Sequence, residues 1–159
     1  MKHIVIIALL VTGAFAQETH QATGVKVGEV TSTSAIVWMR VTQHPTRNET
    51  GLDLRGKGGD KTVPPGVAVE SLEGAAPGAA GRVRLRYSER EDLAAAKATP
   101  WMEVSAETDY AHQFRIGGLK PDTKYYYAAD TAGPGGSPRH GSLLGSFTTA
   151  PPRDLPAHC

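Results

Sequence analysis

The chain has 159 residues, with 17 Lys and Arg against 16 Asp and Glu. That balance excludes a global field drawing it to nucleic acid or an anionic membrane surface. Its single cysteine, Cys159, is the last residue, which excludes an internal disulfide framework.

Lys2 supplies a positive start, Ile4 to Thr12 form a short apolar run, and Ala14-Phe15-Ala16 makes an A-x-A cleavage site. This pattern predicts a signal peptide over residues 1–16 and an exported protein that begins at Gln17. The apolar run is too short to span a bilayer. Gln17, not a cysteine, directly follows the cleavage site, so a lipoprotein anchor is not expected. Roughly 140 residues remain, enough for one domain with its own core. With Lys2 removed, the basic and acidic residues balance.

Val25 to Val30 reads as a first strand, weakened at Gly24 and Gly28 like an edge strand. Thr31 to Ser34 is a polar turn. Ala35 to Thr42, AIVWMRVT, reads as a strong strand with Ile36 and Trp38 as its inward pair. Its other face, Val37, Met39 and Val41, is apolar too, where a one-sided strand alternates. The expectation is that those three lie uncovered and mark a contact surface.

Residues 43–81 hold eight Gly and four Pro with no sustained period. They read as a partly mobile insertion with a short strand at Gly66 to Ser71, since compact domains rarely hold structureless loops of that length. Arg82 to Ser88 alternates, with Val83, Leu85 and Tyr87 inward and Arg82, Arg84 and Arg86 outward. Glu89 to Lys97 is acidic and then alanine-rich, which predicts one or two helical turns. Trp101 to Ala106 is a short strand. His112 to Ile116 is another, with Phe114 and Ile116 inward.

Leu119-x-Pro121-x-Thr123-x-Tyr125-x-Tyr127 sets apolar, turn and aromatic residues at two-residue steps. Pro121 and Asp122 suit a tight turn. Tyr125 is placed to bury its ring and return its hydroxyl to the backbone of that turn, the tyrosine corner of Greek-key sandwiches. Tyr125 to Asp130 continues as a strand, Ala132 to His140 is a Gly/Pro hairpin loop, and Leu143 to Thr149 is the last strand. Pro151, Pro152 and Pro156 then give a linker composition. About seven strands separated by turn signals predict an all-β, immunoglobulin or fibronectin type III-like sandwich.

Several stretches carry atoms suited to chemistry. Gly51 to Gly58 nearly spells a phosphate-binding loop, but Gly58 stands where Ser or Thr would hold Mg²⁺. A flexible loop is the better reading. Arg82, Arg84 and Arg86 stand about 7 Å apart on one strand face; they suit an anionic ligand or a solvated surface, and charge runs favour the surface. His20, His44, His112, His140 and His158 show no zinc spacing. Asp109-Tyr110-Ala111-His112 lacks a partner ligand, and His112 suits a hydrogen-bonded core position. Glu89, Glu91 and Asp92 read as surface carboxylates. No G-x-S-x-G elbow occurs. Asn48-Glu49-Thr50 is a formal glycosylation sequon. Trp38, Trp101, Tyr87, Phe114 and Tyr125 fall at inward positions or strand ends, which leaves Tyr126 as the outward ring.

Taken in order, GVKVGEVTSTSAIVWMRV (Gly24 to Val41), RVRLRYSE (Arg82 to Glu89), TDYAHQFRIGGLKPDTKYYYAAD (Thr108 to Asp130) and GSFTTAP (Gly145 to Pro151) resemble the N-terminal domain of alkaline phosphatase D-like enzymes. The corner motif alone is shared by many fibronectin type III domains; the ordered set is more specific. The resemblance implies a signal peptide at 1–16, a fibronectin type III-like domain at 22–150 with 43–81 inserted, and a linker at 151–159. It implies that catalytic residues and metal ions belong to a following metallophosphoesterase domain of the same polypeptide, and that this domain is the partner of the sandwich. Neither Asp-x-His nor Gly-Asn-His occurs here, so no catalytic, cofactor-binding or metal-binding residue transfers to this chain. On this reading the chain is a fragment that ends inside a linker. Two rivals share the fold: a stand-alone secreted binding or adhesion module, and the matching domain of a purple acid phosphatase-type enzyme.

Overall fold

A computed structural model describes residues 18–54, 62–136 and 141–152. Eight strands occur among them: β1 Lys26–Gly28, β2 Ser34–Arg40, β3 Gly81–Ser88, β4 Lys97–Ala98, β5 Met102–Val104, β6 Ala111–Gly117, β7 Lys124–Ala132 and β8 Leu143–Thr148. One sheet has the order β1-β2-β6. The other runs β4-β3-β7-β8, with β5 also paired to β3. All pairings are antiparallel. The two sheets enclose one core and form an all-β sandwich.

Alternation sets most of the core. On β3, Val83 and Leu85 are buried and Tyr87 packs partly against them. On β6, Phe114 and Ile116 face inward while Gln113 and Arg115 are exposed. These follow the expected phase, because the arginines of β3 and Gln113 and Arg115 of β6 mark the water-facing side of each strand.

Strand β2 runs in the opposite phase to that expected. Ala35, Val37, Met39 and Val41 are buried in the core, and Ile36 and Trp38 lie on the outer face. The register explains why: Ala35 opposes Ile116 and Val37 opposes Phe114. Residues directly opposite share a face, so β6 dictates which side of β2 turns inward. The apolar strip Val37, Met39 and Val41 is therefore core, and it is no contact surface.

Two local expectations also change. Residues 89–96 form turns instead of helix. Leu93 and Ala95 take positive φ of 55° and 53°, which interrupts any right-handed helix. The residues around 66–71 contain a single 3-10 turn, Val69–Ser71, in place of a strand.

The described parts of 43–81 are tied to each other and to the sandwich. Amides of Asn48 and Gly74 bond the carbonyls of Ala75 and Asn48 at 2.7 Å, and the Leu52 amide bonds Ser71 at 3.1 Å. The Gln43 amide reaches Pro77, and Ala79 is buried beside Val41. Arg40 clamps this insertion: its guanidinium donates to Ala76 O at 2.6 Å and to Asp109 Oδ1 at 3.1 Å.

Ahead of β1, Thr19 and Gln21 are buried. The Thr19 hydroxyl bonds that of Thr131 at 3.0 Å, and Gln21 Nε2 donates to Ala129 O at 3.0 Å. Residues 1–16, read from the sequence as a signal peptide, and Cys159 lie outside the described residues.

Candidate functional site

The corner is built as expected. Gly118 at φ 66° and Asp122 at φ 47° turn the chain between β6 and β7. Tyr125 is buried, stacks on Phe147 with ring centres 5.8 Å apart, and meets Tyr87 edge-on. The Lys120 amide donates to its hydroxyl at 2.9 Å. Thr149 reinforces the turn: its hydroxyl donates to Lys120 O at 2.6 Å and accepts from the Thr123 amide at 2.9 Å. These contacts join the last strand to the corner, and every one of them serves the scaffold.

The three arginines of β3 do stand on one outer face, but they are not freely solvated. Arg84 opposes Asp130 across the β3–β7 pair. The Asp130 carboxylate, only 3 % exposed, takes hydrogen bonds from Arg84 at 2.8 Å and from Arg86 at 2.8 Å and 3.0 Å. Ser142 adds a further short bond. Burial alone raises the Asp130 pKa, but the bonds from Arg86, Ser142 and Arg84 more than offset it and hold the group below its ordinary value. Arg82 reaches the Gly136 carbonyl, and the Arg82 and Arg84 guanidiniums lie over the Trp101 ring at 5.5 Å and 4.6 Å. The stripe, the indole and the buried carboxylate form a ladder that ties Gly136 and Ser142 to the sheet. Trp101, directly before β5, lies on this outer face under the two guanidiniums. Further along it Lys124 sits over Tyr126 at 4.8 Å, so Tyr126 does face outward.

The outer face of the three-stranded sheet is different. Ile36 and Trp38 stand partly exposed at its centre, flanked by Lys26, Gln113 and Arg115. Sequence reading put Trp38 in the core. Arg40 held the missing signal, because it shares a face with Ile36 and Trp38 and a charged end belongs in water.

The remaining candidates are dispersed. His112 faces the core edge-on to Phe114, ring centres 4.6 Å apart, and burial pushes its pKa down. Asp109 pairs with Arg40, Glu89 with Lys120 at 2.9 Å, and Asp92 with Arg90. The Arg90 guanidinium and the Ala94 amide hold Asp92 down to about 2. Of the loop resembling a phosphate site, Gly51 to Leu54 belong to the folded insertion, and 55–58 lie outside the described residues, as do His140 and His158. Asn48 lines an open groove of about 500 Å³ with Gln43, His44, Arg47 and Glu70.

Among the described residues no three His, Cys, Asp or Glu side chains come together to hold a metal ion. Nor does any helix among them have the length and apolarity to cross a membrane.

The family model described as "PhoD-like phosphatase, N-terminal domain" matches residues 10–151. Among solved structures, PhoD superposes with a TM-score of 0.51 at 21 % identity, over 83 % of this chain and 20 % of that one. The chain thus spans one-fifth of the length of the PhoD chain it matches. The fn3 domain of human contactin 1 matches 98 % of this chain and 94 % of its own, with a TM-score of 0.46 at 14 % identity. The sensor domain of the anti-sigma factor RsgI4 of Pseudobacteroides cellulosolvens matches 80 % of this chain and 92 % of its own, with a TM-score of 0.45 at 16 % identity. No curated protein matches the chain.

Proposed function

The chain belongs to the family of PhoD-like phosphatase N-terminal domains, and we propose that it is the accessory β-sandwich of an exported, metal-dependent phosphoesterase. The match over residues 10–151 carries this reading. The hydrolytic residues and metal ions then belong to a following domain of the same polypeptide, and this segment contributes no catalytic group. Its role is to pack on that domain and help shape access to the active site. Pro151 and Pro152, directly after the last strand contacts, support a short stiff connection.

The internal chemistry agrees with such a role. The buried ion pairs of Asp130 and the corner at Tyr125 spend their polar groups on rigidity. A rigid sandwich is a suitable wall for a neighbouring site.

The test is to assay two polypeptides on soluble phosphomonoester and phosphodiester substrates: the one encoded by the complete reading frame, and this 159-residue chain alone. The reading expects divalent or trivalent metal-dependent hydrolysis by the first and none by the second. An inactive complete polypeptide, folded and supplied with metal, overturns it.

A further inference from the structure

The face that carries Ile36 and Trp38 has the composition of an interface. Lys26 opposes Trp38 and Gly28 opposes Ile36 on one side; Gln113 and Arg115 oppose the same two residues on the other. An indole and an isoleucine thus stand side by side in the middle of a sheet face with charged and amide groups around them. A water-facing sheet surface carries polar residues throughout, whereas an aromatic anchor inside a polar rim is the anatomy of a binding patch. Ile36, Trp38, Gly28 and Gln113 line a shallow groove of about 170 Å³. At Gly28 a side chain would meet nothing within 4 Å, so the groove is open beside Ile36.

The course of the chain indicates what covers this patch. Strand β8 belongs to the other sheet, but the residues after it cross over. The Ala150 amide donates to Thr31 O at 3.1 Å, and Ala150 O accepts from the Asp122 amide at 3.0 Å. Thr31 lies in the turn between β1 and β2, the hairpin that bears the patch. From Ser34 at the start of β2, Trp38 is only about 13 Å along the strand. Whatever follows Pro152 is thus tethered at the edge of this face, next to Ile36 and Trp38. Tethering supplies a high effective concentration, so a patch of this size suffices for docking. On the outer face of the five-stranded sheet the arginines are already paired to Asp130 and stacked on Trp101.

We propose that the outer face centred on Ile36 and Trp38 is the docking surface for the catalytic domain that follows in the same polypeptide, which rests on the accessory-domain reading. The surface it meets is an apolar protrusion that enters the groove beside Gly28, with acceptors at its margin for Lys26 and Gln113.

A photo-crosslinking benzoylphenylalanine placed at exposed Gln113 of the complete polypeptide tests this, with the same group at exposed Ser146, on the outer face of the other sheet, as the reference. The expected result is intramolecular links from position 113 into the downstream domain, several-fold more abundant than from 146. Links from 113 to a second copy alone, no links, or no excess over 146 overturn the proposal. Phosphoesterase activity of the same preparation separates the two levels. An active polypeptide without links from 113 rejects the surface and leaves the accessory role standing; a complete frame with no phosphoesterase domain rejects both.

Discussion

The Lys120 amide donates a 2.9 Å hydrogen bond to the hydroxyl of Tyr125, five residues further along the chain. The tyrosine ring is buried against Phe147 and Tyr87, so the hydroxyl fixes the corner from inside the core. Removing it in Tyr125→Phe keeps the ring and strands a partly buried donor. The expected cost is roughly 1–2 kcal/mol in urea unfolding. A stability unchanged from wild type contradicts the corner as the structure describes it.

The phase of β2 makes a second prediction. Met39 is fully buried, whereas Ile36 is partly exposed on the outer face. Met39→Ala should cost about 2–5 kcal/mol. Ile36→Ser should stay within about 1 kcal/mol. Equal costs, or the reverse order, would restore the opposite phase.

Asp130 predicts the acid behaviour. Its folded-state pKa is lowered, so its contribution is complete above the ordinary value of 3.8 and is lost as pH falls below that toward the lowered value. Wild-type stability should therefore decline on acidification through this window. In Asp130→Asn the Asp130 part of that slope should vanish, with a loss of roughly 1–3 kcal/mol at neutral pH. His112 gives an earlier slope of the same sign. Its pKa is also lowered, so the unfolded chain takes up the proton first as pH falls below 6.5. Denaturation profiles from pH 7 to pH 3 for wild type, Asp130→Asn and His112→Gln check both windows.

Gly51 tests whether the insertion is part of the folded domain. A Cβ there would run into the Ser71 carbonyl oxygen and the Leu72 backbone, which cannot move aside as a side-chain tip can. Gly51→Ala should cost about 1–3 kcal/mol or raise proteolysis within 43–81. A silent substitution would mean that the 48–52 and 71–75 segments do not pack together.

What was legible in the sequence follows from where polar residues break an apolar pattern. Strands β3 and β6 could be read because Arg82, Arg84, Arg86, Gln113 and Arg115 mark one face of each. Strand β2 is apolar on both faces, so its phase came from its pairing with β6. Only Arg40 betrayed it locally. Alanine content at 94–96 suggested helix, but so short a segment cannot support the nucleation cost, and Leu93 and Ala95 turn left-handed instead. The insertion is held by bonds between loop segments distant in the chain, Asn48 to Ala75 and Leu52 to Ser71, which leave no period to detect. The partner of the arginine stripe was hidden for a similar reason: Asp130 meets Arg84 only through a register set between distant strands.

The most direct test of the central claim is to read the coding frame beyond codon 159. The account predicts several hundred further codons with Asp-x-His and Gly-Asn-His motifs, which places catalysis in the domain that follows this sandwich. A stop codon directly after Cys159 would contradict the account and leave a secreted binding module in its place.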